Sequence, residues 1–213
     1  MTTASRDRIK GKTMPIELTI TPEPPAPLIP PRKRWTRAEC RILESSGIWE
    51  QQKVELIGGE LINKMGQNRL HVNAVLSMML WLMDAFGRDR VNSNAPIDVA
   101  PADNPITEPQ PDLIVLTRPS ASFQTANPQP HEITLAVEVS DSTIRFDLTV
   151  KAALYARAGI VEYWVLDVAG RRLIVHREPA PAGYRSIVAY SELETVAPLA
   201  SPQHDLRVGD LFA

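Results

Sequence analysis

The chain has 213 residues, 44% of them hydrophobic and 23% charged, which is enough apolar material for a core without disulfides or a structural metal. Its one cysteine, Cys40, excludes an intramolecular disulfide and a cysteine-rich zinc site, and it favours a reducing compartment, the cytoplasm. The net charge of −2 argues against a protein that coats nucleic acid by charge alone. The longest apolar stretch, residues 74–83, is about half of what crosses a bilayer, so we expect no membrane contact.

The sequence divides into two parts. We predict a flexible, proline-rich tail over residues 1–33 and one domain over residues 34–213. Residues 21–31 read TPEPPAPLIPP, and a segment so rich in proline favours the extended polyproline conformation and excludes a helix. Met14 is an alternative start to Met1.

The domain begins with a predicted helix and a predicted hairpin. Thr36 and Glu39 form a capping-box pattern that opens a short helix, and Gly47 ends it. Residues 54–62 read VELIGGELI, in which the Gly-Gly pair between two apolar arms predicts a tight turn. A long helix is predicted over residues 68–86. Its buried face is predicted by the apolar residues at helical spacing, Val72, Val75, Leu76, Met79, Leu80 and Met83.

The second half of the domain has the pattern of a sheet with one more helix. Residues 133–139, ITLAVEV, are apolar on both faces, which is typical of a central strand covered on each side. A helix is predicted over residues 146–158, ended by Gly159. Other short strands are predicted at residues 96–99, 112–116, 161–168, 173–176 and 187–190. This order indicates an α+β (α/β-like) fold, a mixed sheet flanked by helices, with a helix and a hairpin at its N-terminal side.

Two carboxylates occupy positions that are unusual for an acidic residue. Asp112 opens an apolar strand, and Glu138 lies inside the most hydrophobic strand, on the face that it shares with Ser140. Burying Glu138 without compensation would cost several kcal/mol, so it needs a metal, a basic partner or a hydrogen-bond network. Taken singly, Asp112 could be a turn residue at a strand end. Glu138 could form an ion pair with Arg145 or Lys151 that fixes the packing of a helix.

Lys151 falls on the apolar face of the predicted 146–158 helix, where a lysine must reach solvent or meet a carboxylate. A surface pair with Asp147 is the simpler explanation, but we prefer an orientation towards Glu138. In that arrangement Asp112 and Glu138 supply oxygen ligands for a divalent ion that activates water. Lys151 then orients the attacking water and adds positive charge at a scissile phosphate.

In their order and spacing, these residues resemble the Uma-type restriction endonuclease family of the PD-(D/E)XK nuclease superfamily. The resemblance is carried by PDLIV at 111–115, AVEVS at 136–140, the helix with Lys151 and Tyr155, and EYW at 162–164. The hairpin, the helix that carries His71 and the closing residues 206–212 extend it from about Trp35 to the C-terminus.

The resemblance implies a restriction-endonuclease-like mixed sheet, DNA as substrate and Mg²⁺ as cofactor, with Mn²⁺ as a substitute. A second copy of the chain, in a homodimer, is a further partner to consider. Asp112 and Glu138 match the metal-binding and catalytic acids, and Lys151 matches the relocated catalytic lysine of this family, because Ser140 occupies the usual lysine position. The additional site candidates are Glu60, as a further acid near the N-terminus, together with His71, Ser140 and Tyr155.

The preferred function is therefore metal-dependent hydrolysis of DNA phosphodiester bonds by an endonuclease that uses Asp112, Glu138 and Lys151. The alternative is a non-catalytic DNA-binding or assembly module that retains the nuclease fold, and nicking of plasmid DNA distinguishes the two. A glycosidase with Asp112 and Glu138 as acid and base is disfavoured because it leaves Lys151 without a role.

Removal of residues 1–31 should lower the melting temperature by less than about 2 °C, which for a domain of this size corresponds to less than about 1 kcal/mol. The reason is that a proline-rich tail contributes no regular structure to the core. Differential scanning calorimetry of the full chain and the shortened chain tests this. A large drop would mean that the tail docks on the domain.

Overall fold

The computed structural model describes residues 32–47, 54–64 and 68–212, and residues 33–213 form one compact unit. The predicted tail lies outside the described residues, apart from its last two positions. The tail therefore stays a prediction.

The N-terminal elements confirm the local patterns that predicted them. Helix α1 (Arg37–Ser45) is capped by Thr36, whose Oγ1 accepts a hydrogen bond from the backbone N–H of Glu39 at 3.2 Å. The Glu39 carboxylate in turn accepts from the backbone N–H of Thr36 at 2.9 Å, which completes a capping box. Strands β1 (Val54–Ile57) and β2 (Glu60–Asn63) pair antiparallel as the predicted hairpin.

The hairpin turn depends on its two glycines. Gly58 and Gly59 have φ angles of +58° and +80°, which residues with a Cβ rarely adopt. At Gly59 a Cβ would also lie 2.7 Å from the Cβ of Arg34. The segment before α1 can therefore lie against the hairpin only because position 59 has no side chain.

Helix α2 (Arg69–Phe86) has the predicted bounds, but the face that it buries differs from the prediction. Its fully buried residues are Ala74, Met78 and Leu82. The prediction was wrong for Val72, Leu76 and Leu80, which are 39%, 48% and 57% exposed. Apolar residues surround most of this helix, so their periodicity does not select one face. Even so, in the described part of the chain no helix is both long and apolar enough to cross a membrane.

A six-stranded mixed sheet confirms the predicted α+β fold. In chain order the remaining strands are β3 (Val91–Ser93), β4 (Leu113–Leu116), β5 (Ile133–Ser140), β6 (Glu162–Asp167), β7 (Arg172–Ala180), β8 (Gly183–Ser191), β9 (Thr195–Val196) and β10 (Leu206–Arg207). The large sheet has the strand order β3-β4-β5-β6-β7-β8, and its neighbouring strands pair antiparallel except for the central pair, β5 and β6, which are parallel. A separate sheet of β9 and β10 precedes a 3₁₀ turn over Val208–Phe212.

The prediction of a strand at residues 96–99 was wrong, because the edge strand is β3, a few residues earlier. The chain leaves the strand direction at Asn94, which has a φ of +49°. Pro96 has no N–H to donate to a strand ladder. Ile97 and Val99 are nevertheless buried in the core, so the apolar pattern was that of a buried loop.

One helical segment with an irregular turn connects β5 to β6. It consists of α3 (Ile144–Phe146), a π-helical turn (Asp147–Lys151) and α4 (Ala152–Ala158), and it ends at Gly159 with a φ of +81°. The predicted helix began two residues later, and its sequence did not indicate the π turn. Such turns are frequent at functional sites, and here both ionisable ends of the turn, Asp147 and Lys151, are buried.

The sheet separates two hydrophobic cores. On one face, Trp164 of β6 stacks on Trp81 of α2, with ring centroids 6.0 Å apart. The residues of β5 that belong to this core are Leu135, Val137 and Val139. Ala136 belongs to the core on the opposite face, with α4, so the alternation along β5 places Glu138 on the side of α4 as well.

The assignment of the buried face of α2 can be tested by measuring protein stability. Met78→Ala should lower the free energy of unfolding by about 2–5 kcal/mol, because it leaves a cavity in the core between α2 and the sheet. Leu80→Ala, two residues away on the exposed side, should change it by about 0.5 kcal/mol or less. Urea denaturation of both variants measures the difference. Equal losses would contradict the assignment of the buried face.

Candidate active site

A small open cavity of about 80 Å³ lies beside the ends of β4 and β5. Its polar lining comes from four parts of the chain: Asp112 and Glu138 at the strand ends, Asp141, Ser142 and Thr143 in the loop after β5, Asp147 and Lys151 in the π turn, and Lys64, Asn68 and His71 around the start of α2. The strand pairing explains how the first two come together. Leu113 pairs with Val137, so the next positions along the two strands, Asp112 and Glu138, are neighbours.

Asp112 is held in place by backbone and side-chain donors. Its Oδ2 accepts a hydrogen bond from the backbone N–H of Val139 at 2.8 Å, and its Oδ1 lies 3.4 Å from Nζ of Lys64. Lys64 also donates to the carbonyl oxygen of Gln110 at 2.7 Å. The carboxylate of Asp112 is therefore fixed on the strand β5 side and neutralised in part on the Lys64 side.

Lys151 lies between two buried carboxylates. Its Nζ is 2.9 Å from Oε1 of Glu138 and 2.9 Å from Oε1 of Glu55 in β1, and all three side chains are 3% exposed. The hydroxyl of Tyr155, one turn further along the helix, donates to Oε1 of Glu138 at 3.0 Å. This network joins the hairpin, the central strand and the helix at one point.

Asp147 is the fourth buried carboxylate of the cluster. Its Oδ2 accepts hydrogen bonds from the hydroxyls of Ser140 and Thr143, the latter at 2.7 Å, and its Oδ1 lies 3.9 Å from Nζ of Lys151. Because Asp147 and Lys151 are 4% and 3% exposed, a surface ion pair between them is excluded.

The electrostatics of the cluster follow from its burial. Burial raises the pKa of Glu138 to about 8, and the carboxylates of Asp112 and Asp147 add to this, whereas Lys151 opposes it. Burial alone would lower the pKa of Lys151, but the carboxylates of Glu138, Glu55 and Asp147 outweigh it and raise that pKa above its ordinary value. Lys151 therefore keeps its proton at neutral pH.

The cluster contains more acids than bases. Four carboxylates, those of Glu55, Asp112, Glu138 and Asp147, stand against two ammonium groups, those of Lys64 and Lys151, a formal surplus of two negative charges. A buried surplus of this kind is unfavourable unless protons or a cation compensate it. Asp112 and Glu138 both keep oxygen lone pairs free at the cavity, where a cation would find hard oxygen ligands. Over the described residues, no three His, Cys, Asp or Glu side chains are placed to hold a metal ion together.

The structure places the remaining candidates at different distances from the cavity. Ser140 and Tyr155 are buried and bind the cluster carboxylates directly, and His71 lines the cavity. Glu60 does not belong there, because it is exposed beside the hairpin turn. The acid that the hairpin contributes is Glu55, which the sequence interpretation missed. The signal was present, since Glu55 is an acid inside an apolar strand, as Glu138 is.

Lys151→Met should lower the free energy of unfolding in metal-free buffer by about 3–5 kcal/mol, because it leaves buried carboxylates without their cation. Urea denaturation measures the loss. Lys33→Met is the matched control, since Lys33 pairs with Glu39 at the surface, with side chains 57% and 38% exposed, and its removal should leave the urea midpoint unchanged. Equal midpoints for both variants would contradict the buried network.

Comparisons with known proteins agree with this architecture. The chain is similar to the crystal structure of a putative nuclease belonging to DUF820 from Anabaena variabilis ATCC 29413, with a TM-score of 0.61 and 15% identity over 76% of this chain and 90% of that chain. An identity this low establishes the fold alone. A comparison with curated proteins found no match. The model of the Uma2 family, described as putative restriction endonuclease, matches residues 41–209. Since that match covers most of the sequence, the chain belongs to the Uma2 family of putative restriction endonucleases.

Proposed function

We propose that this protein is a metal-dependent endonuclease that hydrolyses DNA phosphodiester bonds at the cavity formed by Asp112, Glu138 and Lys151. The observation that carries the proposal is the cluster of four carboxylates and two ammonium groups, a formal surplus of two negative charges, beside an open cavity. Structural ion pairs balance their charges, whereas perturbed acids in a cleft are typical of functional sites. The family description supports a nuclease and DNA as its substrate.

The proposed cofactor is Mg²⁺, for which Mn²⁺ would substitute. Proteins usually hold Mg²⁺ through one or two carboxylates, with water and substrate phosphate oxygens as the other ligands, so the pair Asp112 and Glu138 suits it without a third acid. A divalent cation would also offset the surplus charge of the cluster. When bound, such an ion activates water and stabilises negative charge on a phosphoryl group.

The chain's own residues have separate tasks in this proposal. Lys151 keeps its proton, so it does not take a proton from water; it contributes positive charge beside the reacting phosphate instead. Its ammonium is positioned by Glu138 and Glu55, and Tyr155 holds the Glu138 carboxylate in orientation. Asp112 is positioned by the backbone of Val139. Because these supports are buried and hydrogen-bonded, the groups need little rearrangement before reaction.

The size of the cavity supports a polymeric substrate. About 80 Å³ is well below the roughly 300–1,000 Å³ of pockets that enclose a small molecule. A nucleic acid that lies across the opening can insert one phosphate group, while the rest of the chain stays outside. Cutting both strands of a duplex takes two such cavities, so the proposal includes a homodimer. The single cysteine of the sequence supports a reducing compartment such as the cytoplasm as its setting.

The second candidate is a DNA-binding or assembly module that keeps the nuclease fold without turnover. It would account for the family match, but it does not explain why the cluster has more acids than bases. Catalytic cleavage of DNA distinguishes the two candidates.

Purified protein should nick supercoiled plasmid in Mg²⁺, and Asp112→Asn should abolish nicking, because it removes a ligand charge while it keeps the hydrogen bond from Val139. Lys151→Met, examined where it is folded, should lower the rate by about a hundredfold or more. Gel analysis of single-turnover time courses measures the rates.

Asp103→Asn and Lys33→Met are the matched controls and should nick at the wild-type rate, since both positions lie outside the cavity. Calorimetric titration with Mn²⁺ should show binding that Asp112→Ala loses. Wild-type protein that binds Mn²⁺ no better than Asp112→Ala, or that leaves plasmid intact, would contradict the proposed function.

A further inference from the structure

One nitrogen at the cavity has no partner among the described residues. His71, in the first turn of α2, lines the cavity, and its Nε2 is buried without a hydrogen bond. Two side-chain donors beside it are engaged. Lys64 donates to Gln110, and Asn68 donates to Asp141. A buried ring nitrogen without a partner is unfavourable, so it calls for a water or a ligand that enters the cavity.

A second histidine shows what a packing role looks like in this fold. His176 also has a buried nitrogen without a partner, Nδ1, but its ring lies between those of Tyr163 and Tyr184, 5.2 and 5.6 Å from their centroids. Burial lowers the pKa of His176, as expected for a neutral imidazole in the core. His71 differs because its side chain lines the open cavity that the charged cluster also lines.

The backbone of His71 is held at the start of its helix. Its backbone N–H donates to Oδ1 of Asn68 at 2.9 Å, which is the N-cap bond of α2. The amide group of the same Asn68 donates to Asp141, in the loop that follows β5. Asn68 therefore ties the helix start to the strand that carries Glu138, and it fixes the position of His71 relative to the carboxylates before any substrate enters.

We propose that Nε2 of His71 donates a hydrogen bond to a non-bridging oxygen of the scissile phosphate and so positions it for attack. This inference rests on the proposed function. A phosphodiester brings acceptor oxygens and a negative charge into a cavity where both lysines already have carboxylate or carbonyl partners. A histidine N–H supplies the missing donor. The metal ligands remain Asp112 and Glu138, because Mg²⁺ prefers oxygen to nitrogen.

Three substitutions separate this role from packing. His71→Gln can place an amide N–H close to the Nε2 position, whereas His71→Asn reaches only the Nδ1 position, and His71→Ala supplies no donor. In single-turnover nicking with Mg²⁺, the alanine and asparagine variants should be about a hundredfold slower than wild type, and glutamine should recover at least tenfold of that loss. The melting temperatures of all three should stay close to wild type, because Nε2 makes no bond within the described protein. Equal rates for wild type and His71→Ala overturn the inference, as does a loss of rate that only follows a loss of melting temperature.

A readout without turnover distinguishes failure of this inference from failure of the proposed function. A short oligothymidylate, added in Ca²⁺ so that cleavage is suppressed, should shift the ¹⁵N resonance of His71 Nε2, assigned by its absence in His71→Gln. Plasmid nicking with no shift and no effect of His71→Ala overturns the inference alone. If the protein neither nicks plasmid nor shows the shift, both the inference and the proposed function are overturned. A shift without nicking supports the phosphate contact and contradicts only the turnover.

Discussion

The ammonium group of Lys151 joins distant parts of the chain through buried ion pairs. Its closest oxygens belong to Glu55 in the N-terminal hairpin and to Glu138 in the central strand, both 2.9 Å from Nζ. Strands β1 and β2 form a sheet of their own, which is tied to the segment before β4 by the bridge between Leu56 and Glu108 and by hydrogen bonds from the two turn glycines. The buried cation adds to these bonds a charged link that holds the hairpin against the central strand. It also makes the nearby acids tolerable in the interior, since each of them would otherwise lack a counter-charge.

The same cluster shows a compromise between stability and chemistry. Two ammonium groups do not neutralise four carboxylates, so the protein without a divalent ion keeps repulsion in its interior. One feature lessens it: burial raises the pKa of Glu138 to about 8, which favours its protonated form. An apolar cluster of the same volume would be more stable. Unfavourable electrostatics of this kind are expected where a site is shaped for a ligand rather than for folding.

Structure that depends on residues close in the sequence was predictable, whereas contacts between elements distant in the sequence were not. The capping box of Thr36, the Gly-Gly turn and the cap at Asn68 involve residues within four positions of each other, so their patterns determine their structures. The buried face of α2 could not be predicted in this way, because it depends on which side of the helix packs against the sheet. Apolar residues lie on nearly every side of α2, so the sequence pattern does not indicate that side. Glu60 was chosen because the resemblance implied a further acid near the N-terminus. The register of the hairpin places Glu55 and Glu60 on the same face, so only the packing of the hairpin, which buries Glu55 and leaves Glu60 exposed, decides which acid joins the cluster. For Lys151 the helical pattern was sufficient, since a lysine among apolar neighbours has few alternatives.

The π turn at Asp147–Lys151 has a consequence for how relatives of this chain should be aligned. A π turn adds one residue to an α-helix, so a relative without it has one residue fewer between the central strand and Gly159. In a relative without that residue, the positions of Asp147 and Lys151 would be three apart in a regular α-helix, a spacing that still places two side chains on one face. A one-residue gap in this short helix would therefore mark a relative without the π turn, and not one that has lost the cluster.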